Sequence, residues 1–134
     1  MIQGTNSYIP ARVTAVHRER YAVLTARGEG FARLKAAAYR DAGTRDLPTV
    51  GDYVDLIDNE HGDSLVVATH PRRSLFTRKL PGTSVGEQAV AANFDEVFVL
   101  VSLNRDFSPR RIERYAALSW QSGATPVVVL TKRD

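Results

Sequence analysis

The residues with the most chemistry to offer stand in one run, Thr131-Lys132-Arg133-Asp134. A carboxylate is a pure acceptor and can take two parallel hydrogen bonds on its two oxygens. Guanine presents such a donor pair, its ring N1–H and exocyclic amine, and adenine does not. Asp134 is therefore a candidate guanine reader. The aliphatic stem of Lys132 can lie along a base face while its ammonium stays in water. The preceding Thr125-Pro126-Val127-Val128-Val129-Leu130 is an apolar, β-branched run of the kind found in strands buried on both faces of a parallel sheet. The charged tetrapeptide thus sits just past a strand's carboxyl end, where open α/β sheets bind their ligands. A strand running into a solvated charged loop is also commonplace, and these residues alone leave that reading open.

Other chemistries are excluded or weak. No Gly-x-x-x-x-Gly-Lys-Ser/Thr occurs in the sequence, so no segment is built to cradle phosphates and hold Mg2+ in the manner of a P-loop. Gly82-Thr83-Ser84-Val85-Gly86 has only a superficial likeness to one: it lacks the lysine, and neither a convincing strand before it nor a clear helix after it is in view. It reads as linker. His17, His61 and His70 lack metal-ligand spacing. Without cysteine there is neither a disulfide framework nor a Cys-based zinc site, and a reducing compartment is compatible.

The elements that must position Asp134 read as a βαβ unit. Glu96-Val97-Phe98-Val99-Leu100-Val101-Ser102-Leu103 is a continuous apolar strand. Ser108 is a good N-cap and Pro109 a good first helical residue, and the helix should run to about Ser122 with Gly123 as its stop. Ile112, Tyr115, Ala116 and Ser119 share one face, which Leu118 and Trp120 widen, while Arg110, Arg111, Glu113 and Arg114 face solvent. The final strand then returns parallel to the first by a right-handed crossover. Two strands and one helix leave one sheet face bare. The unit therefore reads as a truncated portion of a larger α/β domain, with an open edge able to pair with another copy.

Upstream, short alternating strands are expected at Arg12–His17, Tyr21–Thr25, Phe31–Lys35, Tyr53–Ile57 and Ser64–Ala68, with glycine-rich turns between them. Ala36–Arg40 fits either a helical turn or an irregular loop. Five short strands suit a small all-β barrel over residues 1–72, of which the oligonucleotide-binding (OB) fold is the best-known solution. An SH3-like barrel gives nearly the same spacing. Residues 73–93, with Pro81, Gly82 and Gly86, read as an irregular connector to the α/β segment at 94–134.

The net charge of +3 conceals blocks. Arg12, Arg18, Arg20, Arg27, Arg33, Lys35 and Arg40 crowd residues 10–40 against Glu19 and Glu29. Residues 41–63 invert the balance with Asp41, Asp46, Asp52, Asp55, Asp58, Glu60 and Asp63. His70-Pro71-Arg72-Arg73 is basic again. Such blocks can steer a module onto nucleic acid. Candidate phosphate contacts are Arg12, Arg18, Arg33, Lys35, Arg72 and Arg73, and candidate stacking platforms are Tyr21 and Phe31. Burial in the barrel core competes for each aromatic, and ordinary solvated charge for each cation.

At 134 residues and 43% apolar content the chain can bury a real core, as one ordinary domain or two small ones. No apolar run nears the ~20 residues of a membrane span. Met1-Ile2-Gln3-Gly4-Thr5-Asn6-Ser7 lacks the order of a signal peptide. A cytoplasmic protein with no membrane partner is the expectation.

Ala91-Ala92-Asn93-Phe94-Asp95, Ser102-Leu103-Asn104-Arg105-Asp106-Phe107, Arg110-Arg111-Ile112-Glu113-Arg114-Tyr115 and Val127 to Asp134 together resemble the circularly permuted ribosome-assembly GTPases, the ribosome small-subunit-dependent GTPase A family. The tetrapeptide is similar to the guanine-specificity motif Asn-Lys-x-Asp, with Thr at its first position. The resemblance implies an OB-fold barrel followed by a P-loop GTPase domain entered at its guanine side. Thr131, Lys132 and Asp134 would bind guanine, and GTP or GDP with Mg2+ would be the cofactors. The partners implied are the small (30S) ribosomal subunit and its 16S rRNA. In that permutation the phosphate loop, the Mg2+-binding segments and a zinc domain follow the guanine motif. The chain is expected to be the family's N-terminal part, with no catalytic residue and no metal ligand of its own. Alone it should neither hydrolyse GTP nor hold it tightly, which leaves its status as an enzyme open. The alternative is a stand-alone RNA-binding module with no nucleotide activity.

Overall fold

The computed structural model describes residues 7–79, 86–103 and 107–131. They fall into two compact units, Met1–Arg72 with Phe76–Ala92 and Arg73–Leu75 with Asn93–Asp134.

The first unit is built on β1 (Ile9–Val16), β2 (Tyr21–Thr25), β3 (Gly28–Leu34), β4 (Tyr53–Ile57) and β5 (Ser64–Thr69). They close into a five-stranded barrel in the order β1-β2-β3-β5-β4. β1 pairs antiparallel with both β2 and β4, and a parallel β3–β5 pairing completes the ring. Alternation turns Ala11, Val13, Tyr21, Val23, Ala32, Val54, Leu56 and Val66 inward as one core. Each large member contributes about 1.5–3 kcal/mol by leaving water. At the β2–β3 hairpin, Gly28 takes φ 112° and the Thr25 hydroxyl accepts the Arg27 N–H. Ala36–Tyr39 resolves as a 3-10 turn, whose Tyr39 hydroxyl shares a 2.7 Å hydrogen bond with Thr69.

Residues expected as an irregular connector instead hold two paired strands, β6 (Leu75–Lys79) and β7 (Glu87–Ala92). Pro81 and Gly82 fall between these strands in the sequence, outside the described residues, and Gly86 at φ 103° immediately precedes β7. β7 is fixed to the barrel: the Ala92 N–H donates to the Val50 carbonyl at 2.8 Å and the Thr49 hydroxyl to that of Val90 at 3.0 Å. Gly51 allows this approach. Its φ is 95°, and a Cβ there would lie 2.0 Å from the Ala92 carbonyl oxygen.

The second unit has β8 (Glu96–Ser102), α1 (Pro109–Gln121) and β9 (Thr125–Thr131), the two strands parallel and in register from Glu96↔Thr125 to Ser102↔Thr131. The helix has the ends its sequence predicts. The Ser108 hydroxyl accepts the Arg111 N–H at 3.3 Å, Pro109 is the first residue, and Gly123 follows at φ 98°. Ser119 is the buried centre of its inner face, and Ala116 and Ile112 are half-buried. Leu118 and Trp120 do not widen that face: they are 42% and 62% exposed. Nor is either strand buried on both sides among the described residues, with Phe98 at 65%, Leu100 at 69% and Leu130 at 57%. One helix over two strands offers too little surface to cover them.

Candidate functional site

Alternation along β3 buries Ala32 and sends Phe31 and Arg33 outward. Phe31 is 43% exposed, so it stands outside the barrel, whereas Tyr21 lies in the core at 8% and burial raises its phenol pKa. Of the two candidate platforms, only Phe31 can meet a ligand. The loop between β1 and β2 folds over this ring: the Arg20 guanidinium lies 3.8 Å from its centroid, and the His17 ring is 6.4 Å away, tilted by 54°. Arg20 also grips Asp63, donating from Nε to Oδ2 and from Nη2 to Oδ1, both at 3.1 Å. Arg33 reaches the same carboxylate at 3.4 Å and Glu19 at 3.9 Å. The Arg20 hydrogen bonds hold the Asp63 carboxyl below its ordinary pKa, with Arg33 assisting.

The six cations proposed as phosphate contacts do not form one surface. Arg33 on β3, Lys35 just past it and Arg18 on the β1–β2 loop are exposed. Arg12 donates to the Gly51 carbonyl at 3.2 Å and lies 4.9 Å above the Tyr53 ring. Arg72, a candidate phosphate contact by its sequence, is instead engaged internally. Its guanidinium meets both Asp52 oxygens at 2.8 Å and the carbonyls of Arg45 and Leu47 at 2.7 and 2.9 Å. Asp52 is fully buried and the Arg72 side chain only 13% exposed, so this guanidinium is spent inside the unit. The Asp52 hydrogen bonds also raise its pKa. Arg73 remains 60% exposed while binding Asp95 at 2.7 Å and the Asn93 carbonyl at 3.1 Å.

Sequence reasoning passed over Arg20 as a contact and Asp63 as its partner. They are separated by 43 residues, and no local pattern signals their meeting. Phe31 and Arg33 at i and i+2 were the readable half of the cluster.

In the second unit β9 ends at Thr131, whose hydroxyl donates to the Val101 carbonyl of the neighbouring strand at 3.2 Å. Lys132 and Asp134 lie outside the described residues. A cleft of about 250 Å³ opens between β8 and α1, lined by Val99, Val101, Ser102, Ser108, Ile112 and Tyr115 among others. Among the described residues no three His, Asp or Glu side chains gather as a metal ion requires. No described helix is long and apolar enough to cross a membrane.

The RsgA GTPase family model matches residues 69–134. The chain is 41% identical over 133 residues to the small ribosomal subunit biogenesis GTPase RsgA 1 of Listeria monocytogenes, covering 99% of this chain and 36% of that protein. It is also 41% identical over 141 residues to RsgA of Opitutus terrae, covering 98% of this chain and 38% of that one. Among solved structures, YloQ, a circularly permuted GTPase, superposes with a TM-score of 0.67 at 17% identity over 98% of this chain and 44% of its own. YjeQ from Thermotoga maritima gives 0.70 at 20% identity over 94% and 42%. These two likenesses show the fold. The chain spans little more than a third of its curated relatives' length.

Proposed function

We propose that this chain, which belongs to the circularly permuted RsgA GTPase family, serves maturation of the small (30S) ribosomal subunit in the cytoplasm. Its barrel, OB-like in strand number and closure, grips 16S rRNA, and its second unit supplies the guanine-reading end of a GTP-binding domain. The observation that carries the RNA half is the outward β3 face, where Phe31 and Arg33 are exposed, with Lys35 exposed just past the strand and Arg18 exposed on the β1–β2 loop. Stacking on an aromatic ring with backbone neutralisation by nearby cations is how barrels of this size hold single strands.

The guanine half rests on Thr131, Lys132 and Asp134 at the carboxyl end of β9. There an Asp carboxylate would accept the guanine N1–H and amine together, and Lys132 would cover the base. GTP chemistry in such domains is positional and electrostatic, with phosphates and Mg2+ held by a glycine-rich loop. No such loop occurs in these 134 residues. The purified chain is therefore expected to show no magnesium-dependent GTP hydrolysis, and a nucleotide-specific rate would sink that expectation.

The test of the RNA reading is a titration of the chain with single-stranded RNA at two salt concentrations. With about three phosphates neutralised, affinity should fall about 20-fold between about 50 and 200 mM salt. An affinity indifferent to salt, or none at low salt, overturns the reading. A second reading, an RNA-binding module with no nucleotide activity, is favoured by the barrel's self-contained core. GDP-dependent NMR shifts at Thr131 to Asp134 would decide against it.

A further inference from the structure

Two arginines from different elements of the barrel converge on one carboxylate. Arg20 comes from the β1–β2 loop and Arg33 from β3, and Asp63 stands immediately before β5. Arg20 meets it as a two-toothed fork at 3.1 Å on each oxygen, and Arg33 adds a contact at 3.4 Å. A guanidinium fork fits phosphate oxygens as well as carboxylate oxygens. The cluster is not sealed: the Arg20, Arg33 and Asp63 side chains are 41%, 54% and 20% exposed. Ion pairs so close to water contribute little and exchange readily. The same Arg20 guanidinium caps the Phe31 ring at 3.8 Å, so the phosphate-shaped position and the stacking surface are adjacent.

We propose that Arg20, Arg33 and Phe31 form a site for one unpaired nucleotide of single-stranded RNA, and that Asp63 is its internal competitor. Asp63 stands where the nucleotide phosphate binds and yields that place when RNA arrives, while the base stacks on Phe31. The inference rests on the barrel being the RNA-binding part, and adds the nucleotide subsite and the sign of Asp63's effect. A carboxylate that merely braced the loop would act in the opposite direction, because its removal would loosen Arg20 and weaken binding.

The experiment uses the whole chain, a fluorescein-labelled single-stranded RNA dodecamer and the matching RNA duplex, followed by anisotropy at low salt. Asp63→Asn is expected to tighten single-strand binding by about fivefold, as loss of a competing surface ion pair allows. Glu60→Gln removes an equal charge from the same loop without touching either arginine and should change affinity less than about twofold, the size of a remote screened charge. Phe31→Leu and Arg20→Gln should each weaken single-strand binding several-fold and leave duplex binding unchanged, and Phe31→Leu should erase the gain of Asp63→Asn. Equal effects of Asp63→Asn and Glu60→Gln, or weaker binding by Asp63→Asn, overturn the proposal. Should Asp63→Asn fail to fold, the wild-type chain still decides: the Arg20 Nε–H NMR signal must move with RNA and saturate with the binding curve, and a stationary signal refutes the exchange. If the wild-type chain binds no RNA at low salt, the RNA-binding reading itself falls. If it binds while Asp63→Asn does not tighten, only the competitor falls.

Discussion

Arg72 shows how a single side chain changes meaning once its neighbours are known. In sequence it belongs to a basic run, His70-Pro71-Arg72-Arg73, and invites a phosphate. In the structure it neutralises the buried Asp52, which also accepts the Thr49 N–H at 2.8 Å, and it satisfies the carbonyls of Arg45 and Leu47. Its partner stands 20 residues away, and nothing in the local sequence marks that distance. Removing one member of a buried pair strands the other charge, at a cost of about 3–5 kcal/mol. Arg72→Ala should therefore lower the urea unfolding free energy by an amount in that range. It should leave RNA affinity per folded molecule unchanged, whereas Arg33→Ala should weaken it with little loss of stability. A several-fold RNA defect in folded Arg72→Ala would restore Arg72 to the binding surface. The Asp63 carboxyl gives a second residue-scale expectation. Its folded pKa is lowered, so the stability it contributes is present above the unfolded Asp value of about 3.9 and is lost as pH falls through the folded value. The stability difference between wild type and Asp63→Asn should accordingly shrink below about pH 4, and a pH-independent difference would contradict that assignment.

At the scale of elements, legibility followed the range of the determining forces. α1 was readable because its signals are local: Ser108 and Pro109 at one end, Gly123 at the other, and a 3.6-residue period between them. The barrel strands were readable because alternation places Val13, Val23 and Val54 inward. What was not readable is closure. The parallel β3–β5 pairing joins Arg33 to Leu65 across a loop and a whole strand, and only the completed barrel stabilises it. For the same reason β6 and β7 were hidden: their order depends on each other and on Thr49, Val50 and Gly51. The proposed guanine-reading positions Lys132 and Asp134 stand as a sequence motif alone, and Thr131 is the one member whose surroundings are described. Capping gives this scale its test. Ser108→Ala should destabilise α1 by about 1 kcal/mol, read as faster amide exchange at Arg111 and Ile112 with the barrel amides unmoved. Equal loss of protection in both units would show that the cap's effect is not local.

Across the whole molecule the two units differ in what they cover. The barrel closes on itself and brings Ala32, Val54 and Val66 to zero exposure, so its strands have paired edges and a finished core. The second unit has two strands, each with one edge unpaired among the described residues, and leaves Phe98, Leu100 and Leu130 more than half exposed. Local opening follows such differences, because a region with few buried apolar contacts opens at a lower free energy than a closed core. Amides of β1 to β5 should therefore exchange only through global unfolding of the barrel, and those of β8 and β9 through cheaper openings. The open edges add a concentration dependence. A second copy pairing against β8 or β9 would protect their amides and bury part of Phe98 and Leu100, so exchange in the second unit should slow as protein concentration rises while the barrel's stays constant. Protection in β8 and β9 equal to the barrel's and independent of concentration would mean that this βαβ unit is stable as a monomer. Slowing on addition of GDP, at fixed protein concentration, would place a nucleotide contact on β9 and tie the guanine reading to the element that carries it.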